Sequence, residues 1–171
     1  MDNLDLDVLK TALAWTEAGR RATLGTVVRT WGSAPRPIGA MMAIRDDGQV
    51  IGSVSGGCIE DDLIDQVKSG KLAVRLPEAV SYGVAIDQAR EFGLPCGGTV
   101  QMVLEPITPL SDIRGLLADL ESHKIVKRTL RLETGVTHRT TANGADVLAF
   151  DGASLTTIHG PKYRLLIIGA G

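Results

Sequence analysis

Two cysteines are the softest nucleophiles in this 171-residue sequence, and each stands beside a pair of glycines. Ser55-Gly56-Gly57-Cys58 runs out of an apolar stretch into a segment with helical spacing, and Pro95-Cys96-Gly97-Gly98 runs into one that reads as a strand. Glycine pairs tolerate positive φ and let backbone amides come close to a ligand, and a helix start aims those amides at an anion. A thiol at a helix start also ionises more readily, because the exposed amides stabilise the thiolate. The neighbouring acids Glu60, Asp61 and Asp62 act against that. Cys58 and Cys96 are thus candidates for reactive or soft-metal-binding thiols, and on spacing alone a buried, space-filling role fits them equally. The recurrence of a glycine pair beside both points to two loops that face one site, with Gly56, Gly57, Gly97 and Gly98 shaping it.

A third segment, Trp31-Gly32-Ser33-Ala34-Pro35-Arg36-Pro37-Ile38-Gly39, holds Arg36 between two prolines. Its restricted backbone lowers the cost of presenting a guanidinium fork to a phosphate or carboxylate. An ordinary exposed arginine on a rigid turn is the plainer reading. Ser33 and Ser55 can add hydrogen bonds to the same ligand. The two cysteines have no nearby Cys or His pair and do not have the spacing of a structural zinc site. His123, His138 and His159 read as surface or turn residues without a role, and no Gly-x-Ser-x-Gly elbow marks a hydrolase.

Composition narrows the setting. A net charge of -2 provides no basic field for nucleic acid, and 4% aromatic residues leave little to stack on bases. At 44% hydrophobic residues the chain can build a real core. The start, Met1-Asp2-Asn3-Leu4-Asp5, has no secretory character and no later stretch is a long uncharged apolar run. A cytoplasmic protein with reduced thiols and no membrane contact is expected.

The elements that must position these loops follow from periodicity. Apolar residues at helical spacing predict a helix over residues 4–19, and β-branched residues predict a strand over 21–30. Two apolar runs, 40–45 and 49–54, joined by Asp46-Asp47-Gly48, predict a hairpin that delivers the chain to Gly56. Ile59, Leu63, Ile64 and Val67 then fall on one helical face, up to about Gly70. Strands are expected at 72–76 and 80–84, a short helix at 86–92, and an alternating strand at 99–105 with one buried face. A helix over 109–123 and strands at 125–132, 146–150 and 154–158 complete the pattern, with 134–144 as a polar loop. The expected class is α+β: a mixed sheet of short strands and hairpins flanked by several helices. Residues 1–160 form this domain. Residues 161–171, with Leu165-Leu166-Ile167-Ile168-Gly169-Ala170-Gly171, read as the first strand and opening glycines of a Rossmann-type domain, as expected of a piece of a longer protein.

Taken together, the segments Thr30 to Gly39, Gly52 to Glu60 and Gly93 to Thr99 closely resemble the XdhC/CoxI family, the accessory proteins of xanthine dehydrogenase and related molybdenum hydroxylases. The resemblance runs in order through most of residues 20–107 and carries little of 108–160. It implies an N-terminal domain followed by a Rossmann-type domain. It also implies binding of molybdenum cofactor, protection of it while a cysteine desulfurase helps install its terminal sulfur, and delivery to a xanthine dehydrogenase-type apo-hydroxylase. On that implication Cys58 and Cys96 approach the metal or its sulfur, while Arg36 meets an anionic group. A homodimer is compatible with the sequence. The alternative is an NAD(P)-dependent oxidoreductase or thiol redox protein, with NAD(P) bound only in a longer form.

Overall fold

The computed structural model describes residues 3–32, 36–55, 58–83 and 99–161. Helix α1 (Asn3–Glu17) leads into strand β1 (Ala22–Trp31). Strands β2 (Met41–Arg45) and β3 (Val50–Gly52) form the expected Asp-Gly hairpin, with Ala43 opposite Ile51 and the Gly48 amide donating to the Arg45 carbonyl. Asp46 accepts from the Arg20 guanidinium, which ties the turn to the end of α1. Helix α2 (Cys58–Lys68) and strands β4 (Glu78–Tyr82) and β5 (Thr99–Pro106) complete the first layer. A 3-10 turn (Pro109–Ser111), helix α3 (Ile113–Glu121) and strands β6 (Val126–Arg131), β7 (Thr137–Thr141), β8 (Ala149–Phe150) and β9 (Ser154–His159) follow.

The α+β expectation is met, with the described strands divided between two antiparallel sheets. The first has the order β3-β2-β1-β5-β4 and the second β7-β6-β9-β8. Helix α2 lays Ile59, Leu63 and Val67 on one face of the first sheet, against Val27, Ile44, Met102 and Leu104. The other face is shared. Part is covered by α1 and α3, through Val8, Leu9, Ile113 and Leu116, and part by the second sheet, through Leu130 and Leu155 against Val28 and Val103.

Several elements differ from the sequence reading, each for a local reason. Strand β5 is buried on both faces, because the second sheet covers the face that carries Glu105. Residues 72–76 form no strand: Ala73 sits at φ 47°, a left-handed conformation no strand accommodates, and its amide donates to the Glu78 carboxylate. The following strand is Glu78–Tyr82, displaced from the expected 80–84. The helix expected over 109–123 is interrupted at Asp112, also left-handed, after a 3-10 turn capped by the Thr108 hydroxyl. The polar 134–144 stretch contains β7, an edge strand paired with β6 whose threonines suit a strand without needing an apolar face. Only Ala149–Phe150 of the expected 146–150 strand is paired. The helix expected at 86–92 and the apolar strand before Gly169 lie outside the described residues.

A buried ion pair joins the layers, and at the exposed edge Arg29 of β1 donates to the Phe150 carbonyl of β8 at 2.8 Å. Arg128 of β6 donates from Nη2 to Glu105 Oε1 of β5 at 2.5 Å and to the Ser111 carbonyl at 2.9 Å, with both side chains 4% exposed. A buried pair of this kind is costly to break from one side, because the remaining charge stays without a partner. Glu105→Leu alone is expected to lower unfolding free energy by roughly 3–5 kcal/mol. The double variant Glu105→Leu/Arg128→Met is expected to recover most of that loss in urea titrations, and equal loss in both variants would show that the pair is not the source.

Candidate functional site

The register of the first sheet sends three connections toward one end of it. Strand β1 ends at Trp31 opposite Thr99, where β5 begins, and β4 ends at Tyr82 opposite Val100. Strand β3 points the same way and ends at Gly52 opposite Met42, lower down, because β1 and β5 run on past the hairpin. Gly52 sits at φ +83°, and a Cβ there would come within 2.7 Å of Val8 Cγ2, so only glycine lets the chain leave the hairpin so close to α1.

Helix α2 starts at that same end. Tyr82 Oη, at the close of β4, donates to Asp62 Oδ2 at 2.6 Å, and Asp62 lies one helical turn after Cys58, the first residue of α2. Burial and the adjacent Asp62 carboxylate hold the Tyr82 phenol well above its usual range, so it stays protonated as a donor. On the far side of the strand pair, Thr99 Oγ1 donates to the Gly83 carbonyl at 3.0 Å. The N-terminal part of α2 is therefore tied through Asp62 to the end of β4, and the two residues that bracket segment 84–98 are tied to each other.

Glu60 organises the approach to α2. Its Oε1 accepts from Ser53 Oγ at 2.8 Å, from the Val54 amide at 3.0 Å and from the Ser55 amide at 2.7 Å, and its Oε2 from the Ser55 hydroxyl. An acid at the third helical position that reaches back over the preceding turn satisfies donors the helix itself leaves unpaired. Ser55, expected to contact a ligand, is buried and commits both its amide and its hydroxyl to Glu60. Sequence reasoning took Glu60 as a first-turn acid favoured by the helix dipole and as a charge opposing the thiolate. The signal for its role as an acceptor was the pair of serines a few residues before it.

Arg36 faces a different wall. It lines a cleft of about 280 Å³ together with Thr26 and Met41 of the first sheet, Leu148 just ahead of β8, and Thr157 and His159 of β9. The Arg36 Nε is buried without a hydrogen-bond partner. His159, read from sequence as a surface or turn residue, is buried, and its Nε2 lies 2.8 Å from Thr157 Oγ1. Burial, helped by the positive charge of Arg128, pushes its pKa down to about 3, so the ring is neutral at physiological pH.

Ser33, Gly56, Gly57, Cys96, Gly97 and Gly98 lie outside the described residues, as does the side chain of Cys58. Among the described residues no group of three His, Cys, Asp or Glu side chains is arranged to hold a metal, and no helix is long and apolar enough to cross a membrane.

The described residues define an antiparallel α+β domain in which β1, β3 and β4 run toward one end of the first sheet. Residues 15–83 match the XdhC and CoxI family, to which the chain belongs. The chain is 32% identical over 123 residues to the molybdenum cofactor insertion chaperone PaoD of Escherichia coli (strain K12), covering 70% of this chain and 37% of that protein. It is 27% identical over 187 residues to a probable xanthine dehydrogenase subunit of Bacillus subtilis (strain 168), covering 92% of this chain and 55% of that one. A solved xanthine dehydrogenase from Bacillus halodurans shares the fold, with a TM-score of 0.64 at 22% identity over 90% of this chain and 53% of its own. The chain thus spans 37% to 55% of the length of these proteins.

Two tests probe the site's frame. Glu60→Ala leaves the Val54 and Ser55 amides without their acceptor and is expected to cost about 1–3 kcal/mol, read by thermal unfolding, while Glu60→Gln, which keeps one acceptor oxygen, is expected to cost less. A Glu60→Ala protein as stable as the parent would remove the clamp from the account. For His159, both folded and unfolded states are neutral above about pH 6.5; below it the unfolded chain takes up a proton that the folded one refuses until about pH 3. Stability is therefore expected to fall with decreasing pH through this window, by roughly 1.4 kcal/mol per pH unit from this group alone. His159→Asn is expected to flatten the profile between pH 7.5 and 5; an unchanged profile would contradict the assignment.

Proposed function

We propose that this chain is the cofactor-handling part of a maturation chaperone that binds molybdenum cofactor and delivers it to a xanthine dehydrogenase-type apo-hydroxylase. The observation that carries the reading is the hydrogen bond that ties Asp62, one turn into the helix that Cys58 opens, to Tyr82 at the sheet end that flanks segment 84–98, in which Cys96 lies. The relatedness to a molybdenum cofactor insertion chaperone supports the cargo. Cys58 and Cys96 approach the metal end of the cofactor, Gly56, Gly57, Gly97 and Gly98 let the backbone come close, Ser33 adds a hydrogen bond, and Ser55 acts through the turn it shares with Glu60. Arg36 meets an anionic group of the cargo.

The chemistry suits the residues. Molybdenum is a metal for which thiolates are sensible neighbours, and terminal sulfur is retained best where water is kept out and a soft group stands by. A cysteine desulfurase supplies that sulfur in this reading, and the chaperone holds the cofactor during the exchange. Whether it does so as a homodimer is read directly from its mass in solution.

Protein purified from cells that make the cofactor is expected to retain molybdopterin, detected after oxidation by its fluorescence. Cys58→Ala and Cys96→Ala are each expected to lower retention, or activation of the apo-hydroxylase, by tenfold or more. Retention and activation that survive both substitutions would take the thiols out of the mechanism. Absence of any pterin from the parent protein, with the desulfurase and hydroxylase co-expressed, would overturn the reading.

A further inference from the structure

We propose that the cleft between the two sheets binds the phosphate end of a ring-bearing phosphomonoester, with Arg36 as its anchor. The choice of phosphate over carboxylate rests on the proposed function, whose pterin cargo ends in a phosphate; the site itself rests on the geometry. The second sheet, outside the 15–83 family match, supplies one wall of it.

Arg36 is the residue that makes the cleft a site. A buried guanidinium nitrogen without a partner forgoes a hydrogen bond and is costly to maintain, and an anionic oxygen in the cleft would satisfy it. Arginine recognises phosphate with two parallel N–H donors, and the adjacent Pro37 limits the backbone freedom lost on binding. Met41 and Leu148 provide apolar walls suited to the body of the ligand, and the cleft's volume of about 280 Å³ fits a molecule of one or two rings.

The remaining charged neighbours do not cancel Arg36. Asp146 also lines the cleft, but its carboxylate accepts from Lys127 Nζ at 2.7 Å and from the Asn143 amide at 2.8 Å, so its charge is already compensated. Asp5 stands in the first turn of α1 with an interaction of its own. His159 lines the cleft as a neutral ring beside Thr157 and supplies polarity without charge. The opening carries exposed Ile38 and Val147, an apolar mouth over a charged anchor, which suits an amphipathic ligand better than a free inorganic ion.

The test titrates the 171-residue protein with phenyl phosphate, and in parallel with benzoate, by calorimetry, while the imidazole resonances of His159 are followed by NMR. Phenyl phosphate is expected to bind, to bind at least tenfold more tightly than benzoate, and to shift the His159 resonances. Arg36→Met is expected to weaken binding by tenfold or more and Arg36→Lys by less. Leu148→Trp, which fills the cleft from the opposite wall, is expected to abolish it while the far-ultraviolet circular dichroism stays that of the parent. No binding, equal affinity for benzoate, undiminished affinity in Arg36→Met, or an unmoved His159 signal would each overturn the proposal. Molybdopterin retention that is unaltered in Arg36→Met and Leu148→Trp would overturn it and leave the chaperone reading intact. Phenyl phosphate binding in the cleft of a protein that never retains pterin would do the reverse.

Discussion

The Glu105–Arg128 pair is the contact on which the arrangement of the two sheets depends. Apolar contact is non-directional, and Leu130 and Leu155 pack on Val28 and Val103 without a polar group that fixes their register. A carboxylate and a guanidinium that are both withdrawn from water have one acceptable position, in contact with each other and with the Ser111 carbonyl. That position fixes β6 against β5 and places the 3-10 turn ahead of α3. His159, which lines the inter-sheet cleft, lies opposite Val126 on the neighbouring strand, and the Arg128 charge helps keep its ring neutral.

With the second sheet fixed, the first is free to present its loops. Strands β1, β3 and β4 all run toward the same end of the sheet. The Tyr82–Asp62 hydrogen bond and the Glu60 clamp then hold the start of α2 in line with that end. Each of these contacts spends a polar group on geometry. Among the described residues, Arg36 over its cleft keeps a buried Nε without a hydrogen-bond partner, and Gln101 keeps a buried Oε1 acceptor without one.

Much of this was legible in the sequence where the signal is local. The Asp-Gly turn of the hairpin, the Ile59, Leu63 and Val67 face of α2 and the alternation of Val100, Met102 and Leu104 each follow from spacing within one element. What escaped was set by partners distant in the chain. Nothing near Glu105 announces that Arg128 will neutralise it, and nothing near His159 says that a second sheet will bury it. Strand β7 has no apolar alternation, so only its pairing with β6 identifies it. The left-handed Ala73 and Asp112 broke a strand and a helix that propensity favoured, since neither residue type signals positive φ as glycine does.

The central claim is that the Cys58 and Cys96 loops face one site, and the chain contains no other cysteine to confuse its test. Reaction of the native protein with dibromobimane, which becomes strongly fluorescent when it bridges two neighbouring thiols, measures their proximity directly. The account predicts a fluorescent, intramolecularly bridged protein, with the signal lost in Cys58→Ala and in Cys96→Ala. Two thiols that are accessible to a monofunctional reagent yet never bridged would contradict it.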